Sequence, residues 1–425
     1  MSKRASPDGW DSRTLGDLVD LGSGYGFPRS LQGATDEELP FFKVSDMSLE
    51  GNRRNLTRAN NCVSLETAGN QGWTPFPAGG IAFAKVGAAL LLNRRRVLDK
   101  PSLVDNNMMV AIPGEGLDSS YLYWWLQTVD FRVFVQPGVV PSVNQRQVGS
   151  LWIELPPLSE QRRIADVLDA ADEGIRQSER VIAKLREMKK GLLHDLLTRG
   201  LDAQRNLRDP EAHPEAFKDS VLGRIPGEWE LATLGQVAEK IQDGTHFSPQ
   251  SDTGEYRYIT SKNVRPGRLD LSESRWISEE EHRQIYARCD VQFRDVLLTK
   301  DGANAGNACL NTLGEPFSLL SSVAFIRSDS NACVNEYVLQ YLLSEKGQGR
   351  IQDSTSGLAI TRLTLKKIKS LPIIVPSVEE QHRILTVLDA HDTRIRAEEV
   401  TLQKLGQVKR GLMHDLLTGR VRVRV

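Results

Sequence analysis

Apolar residues recur at steps of four and three through two stretches of the chain. In the first, Ile164, Leu168, Ala171, Ile175, Ser178, Ile182 and Leu185 fall on one helical face, and Ile384, Leu388, His391, Ile395, Glu398, Leu402 and Leu405 repeat the steps in the second. This is the heptad seam of a coiled coil. Both stretches predict long helices, the first over residues 160–197, which at ~1.5 Å per residue is roughly 55 Å. So long a seam exceeds what one domain needs for its own core, and two copies on one chain predict an antiparallel pair holding modules at opposite ends. His391 and Glu398 are polar where the first copy has Ala171 and Ser178. They either fix the register or lie at a solvated edge.

The two helices belong to an internal repeat. Residues 155–198, "LPPLSEQRRIADVLDAADEGIRQSERVIAKLREMKKGLLHDLLT", align without gaps on residues 375–418, and about half of the positions are identical. The shift, from Gln161 to Gln381, is 220 positions. Upstream the likeness weakens: "PDGWDSRTLGDL" echoes "PGEWELATLGQV", matching Trp10 to Trp229, and Lys85-Val-Gly87 answers Lys300-Asp-Gly302. A repeat of this kind decides the architecture before any motif does.

Each half is then a variable module of about 150 residues followed by a repeated helix. The modules read as mixed α/β. "YRYIT", "DVLLTK" and "SSVAFIR" predict strands bounded by Gly, Pro and Asn. Helices are predicted to begin near Ser119 or Ser120 and near Asn335, each with a capping-type residue ahead of an apolar face. Residues 199–226 are polar and carry Pro210, Pro214 and Pro226, the composition of a linker. The expected fold class is mixed α/β (α+β): two similar modules joined by two long antiparallel helices that form a coiled-coil spacer, with a pseudo-two-fold internal repeat. The divisions fall at 1–154, 155–200, 201–225, 226–374 and 375–425.

At 425 residues there is room for two or three domains with cores of their own. The 40% hydrophobic and 26% charged residues match globular averages. No apolar run reaches the roughly 18 residues of a membrane span, and "MSKRASPDGWDS" lacks the apolar core of a signal peptide. A cytoplasmic protein away from membranes is expected. Cys62, Cys289, Cys309 and Cys333 form no C-x-x-C pair, so four reduced thiols are expected and neither a zinc site nor a disulfide framework.

The stretch "VDLGSGYGFP", residues 19–28, raises an enzyme reading, because an acidic residue before Gly-x-Gly-x-Gly opens many S-adenosylmethionine-dependent methyltransferases. Such a loop should follow a buried strand and lead into a helix, yet Pro28 follows at once. In the second half "DGTHF" stands against "SGYGF", matching Gly24 to Gly244 and Phe27 to Phe247, and two of the three glycines are missing. The comparison leaves Gly24 as a structural glycine supplying backbone freedom in a turn, and Tyr25 and Phe27 as candidates for packing or DNA contact. No phosphate loop, H-E-x-x-H, G-x-S-x-G or His/Cys cluster occurs. His194 and His414, in the repeated "HDLLT", read as packing or capping residues. No catalytic, cofactor-binding or metal-binding residue is assigned.

The net charge is −1, but phosphate binding depends on where cations sit. Arg53, Arg54 and Arg58 form one basic cluster and Arg94, Arg95 and Arg96 another; Lys262, Arg265 and Arg268, and Lys366, Lys367 and Lys369, form two more. Among them stand residues able to reach base edges or phosphates: Lys43, Ser45, Lys85, Asn106, Asn107, Thr245, His246, Ser261, Asn263 and Lys300. Any one cluster is more often a solvated surface. Two divergent modules on one helical spacer point to two half-sites read at fixed separation.

The segments "LPPLSEQRRIADVLDAAD", "KKGLLHDLLT", "FKDSVLGRIPGEWE" and "KRGLMHDLLTGRVRV", with the two-module layout, resemble the specificity (S) subunit of type I restriction-modification systems. The resemblance implies that each module is a target recognition domain for one half of a bipartite DNA sequence. It implies that the helices set the spacing and dock two methyltransferase subunits, with separate motor-nuclease subunits in the full complex. S-adenosylmethionine, ATP and Mg are then expected on those partners, and this chain is a reader without an active site. Two other readings stay open: a stand-alone methyltransferase working through Gly22 to Gly26, and a coiled-coil interaction protein with no DNA role.

Overall fold

A computed structural model describes Pro7 and residues 9–135, 140–251, 253–355 and 362–424. Residues 1–6 and Asp8, read above for a leader and for the repeat, lie outside the described residues. The chain divides into two compact units, residues 1–179 with 400–425, and residues 180–399. Each unit therefore takes the opening half of one long helix and the closing half of the other. The helices run over Leu158–Leu196 and Val378–Leu417.

In unit 1 the central sheet has the strand order Val19–Ser23, Met108–Pro113, Ile81–Ala84, Arg95–Leu98, Asn55–Leu56. A three-stranded sheet orders Cys62–Val63, Leu39–Phe42 and Leu103–Val104, and Asp11–Thr14 pairs with Trp152–Leu155 ahead of the first long helix. Unit 2 repeats this plan. Its central sheet is Ala238–Asp243, Val323–Ser328, Val296–Thr299, Ala308–Leu310; its three-stranded sheet is Arg275–Ile277, Tyr256–Ile259, Ser318–Leu319; and Glu230–Thr233 pairs with Pro372–Val375. The three predicted strands are those at Tyr256–Ile259, Val296–Thr299 and Val323–Ser328. Helices Ser119–Thr128 and Asn335–Leu343 bury their apolar faces on these sheets, the first capped by Asp118. Residues 201–225 are packed rather than a loose linker: Leu201, Leu222 and Ile225 are buried in the core of unit 2.

Along the seam Ile164, Leu168, Ile175, Ile182, Leu185, Ile384, Leu388 and Ile395 are buried, while Leu402 and Leu405 are half-buried. The helices are antiparallel within each unit. In unit 1 Lys409 bonds Asp172, and in unit 2 Lys189 bonds Asp392 at 2.6 Å. Asp172 and Asp392, like Lys189 and Lys409, stand 220 positions apart, so one cross-helix pair occurs twice. A charged pair facing an apolar seam penalises every other alignment. These pairs are made in the observed register, and His391 and Glu398 are half-buried.

The repeated Glu-Gln dipeptide ties each helix start to its module. Glu160 accepts hydrogen bonds from Trp10 Nε1 (3.2 Å), from Arg422 (2.7 and 2.8 Å) and from the Val423 amide (3.3 Å). In unit 2 Glu380 accepts from Trp229 Nε1 (3.1 Å), Arg208 (2.5 and 3.0 Å) and the Leu201 amide (2.8 Å). Gln161 and Gln381 accept from the amides of Asp118 (2.8 Å) and Val334 (2.9 Å), fixing the turns ahead of the two buried helices. His194 and His414 sit in the last turns, where Thr198 and Thr418 hydroxyls donate to their carbonyls at 2.8 and 2.5 Å. The four cysteines are free and buried.

Hydrogen bonds from the Arg422 guanidinium, only partly offset by burial, hold the Glu160 carboxyl below its ordinary value of 4.5. A carboxyl depressed in the folded state contributes stability above its unfolded value and loses it as pH falls through the folded one. The stability gap between the native chain and Glu160→Gln should therefore be constant above pH 5 or so, and narrow below 4.5. Urea midpoints measured from pH 7 to 3 check this, and a gap that widens with acid would contradict it.

Candidate nucleic-acid interface

In both units, segments far apart in sequence meet at one end of the central sheet. In unit 1 the Gly24 amide donates to Met108 O (3.1 Å), the Tyr25 amide to Val104 O (2.9 Å) and the Asp105 amide to Phe42 O (2.9 Å). The Lys85 amide donates to Asn107 O (2.8 Å), and Lys85 O accepts from the Val143 amide (2.9 Å). In unit 2 the same bonds run from Gly244 to Val323 (3.2 Å), Thr245 to Leu319 (2.8 Å), Leu320 to Ile259 (3.0 Å), Lys300 to Ser322 (2.9 Å) and Leu363 to Lys300 (2.8 Å). One backbone junction is thus built twice from different side chains. The glycine after each K-x sequence has a positive φ, +78° at Gly87 and +81° at Gly302, which turns the chain out of the strand.

This junction collects Lys43, Ser45, Lys85, Asn106 and Asn107 in unit 1. Ser45, Asn106 and Asn107 are exposed, and Lys43 and Lys85 half-buried, with Lys43 Nζ donating to Gln32 (3.1 Å). Burial pushes the neighbouring Asp105 carboxyl above its usual range, while it accepts from the amides of Asn107 (2.8 Å) and Val44 (3.4 Å). In unit 2 the junction gathers Thr245, His246, Ser261, Lys262 and Lys300. His246 and Lys262 are exposed and Ser261 half-buried, whereas Thr245 and Lys300 are buried.

The basic clusters are mostly elsewhere. Arg53 pairs with Glu179, and Arg54 pairs with Asp169 beside the rings of Tyr123 (5.1 Å) and Trp124 (5.6 Å), so both serve the helix contact. Arg58 is exposed, with no ion pair to a described residue. Arg95 is fully buried: it lies over Phe131 (4.2 Å), donates to Val129 O (2.6 Å), and burial lowers its pKa to about 10. Arg96 donates to the carbonyls of Asn52, Met47 (3.0 Å) and Arg95 (2.8 Å), and Arg94 to Ser48. Replacing all three arginines would therefore test the core before it tested DNA binding. Asn263 is buried and braces its own turn, accepting from Thr260 N (2.9 Å) and donating to Asp270 O (2.9 Å). Arg265 lies 3.9 Å from Asp270 on a separate hairpin.

Gly22 lies in a strand opposite Val110. Gly24 is not among the residues of positive φ, which corrects the idea of a turn needing backbone freedom. Its reason is contact: a Cβ there would come within 2.1 Å of Asp105 O, and at Gly244 within 1.9 Å of Leu319 O. Tyr25 and Phe27 are packing residues. Tyr25 bonds Thr74 through its hydroxyl (3.1 Å), and Phe27 stacks on Phe41 at 3.8 Å. Phe247, the counterpart of Phe27, is 46% exposed.

The lysines of the shared K-x-G sequence differ most. Lys300 lies 3.2 Å from Asp243 and 3.6 Å from Asp301, whereas in unit 1 the corresponding positions are the uncharged Ser23 and Val86. Sequence reasoning passed over two exposed junction cations, Arg288, which donates to Gly244 O (2.7 Å), and Arg362. Carrying the 220-residue shift through the junction would have found Arg362, which takes the place of Ser142.

Residues 7–187 and 226–407 match the family described as the type I restriction modification DNA specificity domain. The MjaVIII type I restriction enzyme specificity subunit of Methanocaldococcus jannaschii is 25% identical over 316 residues, covering 72% of this chain and 71% of that protein. A putative MjaX specificity subunit from the same organism is 29% identical over 290 residues, 67% of this chain and 62% of that one. An S subunit of a type I restriction-modification system from M. genitalium has a similar fold, with TM-score 0.55 at 14% identity and 98% of both chains covered. A chain from a structure on assembly and conformational transition of the type I R-M system gives 0.60 at 17% identity, over 99% of this chain and 100% of that one.

Proposed function

Because the chain belongs to the type I restriction-modification DNA specificity family, we propose that it is the DNA-sequence-specificity subunit of such a complex, each unit reading one half of a bipartite target. The observation that carries this is the junction built twice, with the same backbone bonds and different exposed side chains. A constant frame carrying variable polar groups suits the reading of two different sequences, since frame contacts position a protein and base contacts specify.

The chain acts as a reader and scaffold rather than a catalyst. Of the glycines that could have cradled S-adenosylmethionine, Gly22 is taken up by strand pairing and Gly24 by carbonyl contacts. In this reading that cofactor is bound by two methyltransferase partners, ATP and Mg by motor-nuclease subunits, and the long helices supply docking and half-site spacing. No helix among the described residues is long and apolar enough to cross a membrane, and a cytoplasmic complex on double-stranded DNA goes with this reading.

Exchanging residues 7–154 for the corresponding module of another family member tests it. Genome-wide adenine methylation mapped in cells with the native and the exchanged chain should show a bipartite motif of which one half changes. If both halves change, the units do not read independently. If no bipartite motif depends on this chain, the assignment fails.

A further inference from the structure

Four charged side chains in unit 2 form a line through two buried groups, whose inner end, Asp243, also lies 3.6 Å from the exposed Arg288 and 3.7 Å from His246. Asp243 is 6% exposed, Lys300 2%, Asp301 27% and Arg362 54%; the successive separations are 3.2, 3.6 and 3.4 Å. A lysine this deeply buried is tolerated when carboxylates flank it. Here Asp243 flanks it on one side and Asp301 on the other, the latter at ion-pair distance. Arg362 is then held twice, by the ion pair and by the bridge between the Asp301 and Arg362 backbones. Unit 1 has the same bridge, between Val86 and Ser142, and there Ser23 and Val86 stand where unit 2 has Asp243 and Asp301. The fold therefore does not require the charged line.

Resting on the reading of unit 2 as a DNA half-site reader, the geometry points to Arg362 as a base-reading residue that takes the major-groove edge of a guanine, with Asp301 as its positioning residue. Two features separate this from a phosphate contact. Asp301 beside the guanidinium lowers the local positive charge on which a phosphate anchor depends. It is also Nε of Arg362 that faces Asp301, and no other polar contact to the side chain occurs among the described residues, which leaves the two terminal nitrogens for a bidentate contact. That fork matches O6 and N7 of guanine, and holding it in place before binding raises its selectivity.

The test uses the complex of this chain with its methyltransferase partners, through adenine-methylation maps and binding to duplexes varied at each position of the mapped target. Arg362→Ala should relax one G·C position in the half read by unit 2, lowering discrimination there roughly 10- to 100-fold, and leave the other half intact. Arg362→Lys keeps the charge without the fork and should fail to restore that position. Asp301→Asn should raise non-specific affinity and steepen its dependence on salt, a change that a merely structural role would not produce. An unchanged motif with Arg362→Ala, or full rescue by Arg362→Lys, overturns the proposal while leaving the specificity-subunit reading in place. A map in which no bipartite motif depends on the native chain overturns that reading, and the proposal with it.

Discussion

Glu380→Ala is expected to destabilise unit 2 by about 3–5 kcal/mol, the range for removing one partner of a buried ion pair. The loss exceeds that of a surface bridge because the carboxylate, 3% exposed, is shared by three donors: Arg208, 16% exposed, Trp229 Nε1 and the Leu201 amide. Without it an indole N–H and a backbone N–H lose their acceptor in an interior where each needs a partner, and the guanidinium keeps only Arg199 O at 3.3 Å and the exposed Glu228 at 3.6 Å. The guanidinium is too basic to shed its charge and so escape the loss of its carboxylate. Calorimetry on the full chain should show the transition of this unit lowered on the order of 10 °C. Arg208→Met in the Glu380→Ala background should recover part of it, because an apolar side chain removes the uncompensated cation. Worsening in the double variant would mean that Arg208 contributes by packing alone.

The same dipeptide shows what was legible from residues alone. Trp10, Trp229, Glu160 and Glu380 all stood out as repeated residues, but Trp10 and Glu160 are 150 positions apart and nothing local says that they touch. The long helices were readable because heptad periodicity is a local property, and a repeated seam states its partner. The junction was not, since its bonds link Lys85 to Asn107 and to Val143, contacts set by strand order. The arginine triplet failed for a simpler reason. In the strand Arg95–Leu98 successive side chains face opposite ways, so of Arg95 and Arg96 one turns to the core, and burial falls on Arg95. Charge alone had placed all three outside. The half-buried seam positions Leu402 and Leu405 follow the same rule in reverse, because apolar spacing marks a face but not how fully a partner covers it.

Substituting the glycines of residues 22–26 one at a time should give unequal losses, and the order is what separates a packing role from a cofactor role. Gly24→Ala should be the most damaging, since its Cβ would sit 2.1 Å from Asp105 O and 2.3 Å from Val104 O, backbone atoms that move only with their strands. Gly22→Ala meets Phe76 Cε1 at 2.2 Å, the edge of a ring that can turn, so its cost should be smaller. At Gly26 nothing lies within 4 Å and the change should be silent. Overpacking of the Gly24 kind costs about 1–3 kcal/mol, sometimes more, and here it falls on the bonds that assemble the junction. The larger consequence is lost sequence selectivity in the half-site read by unit 1. Gly244→Ala, whose Cβ would stand 1.9 Å from Leu319 O and 2.2 Å from its carbonyl carbon, should do the same to the half read by unit 2 and leave the first half intact. Methylation maps and thermal melts of the four variants measure both effects. A nucleotide-binding loop would instead lose function at Gly26 as fully as at Gly24, because its backbone N–H groups act on the ligand together; equal loss at those two positions would return the stretch to a cofactor role.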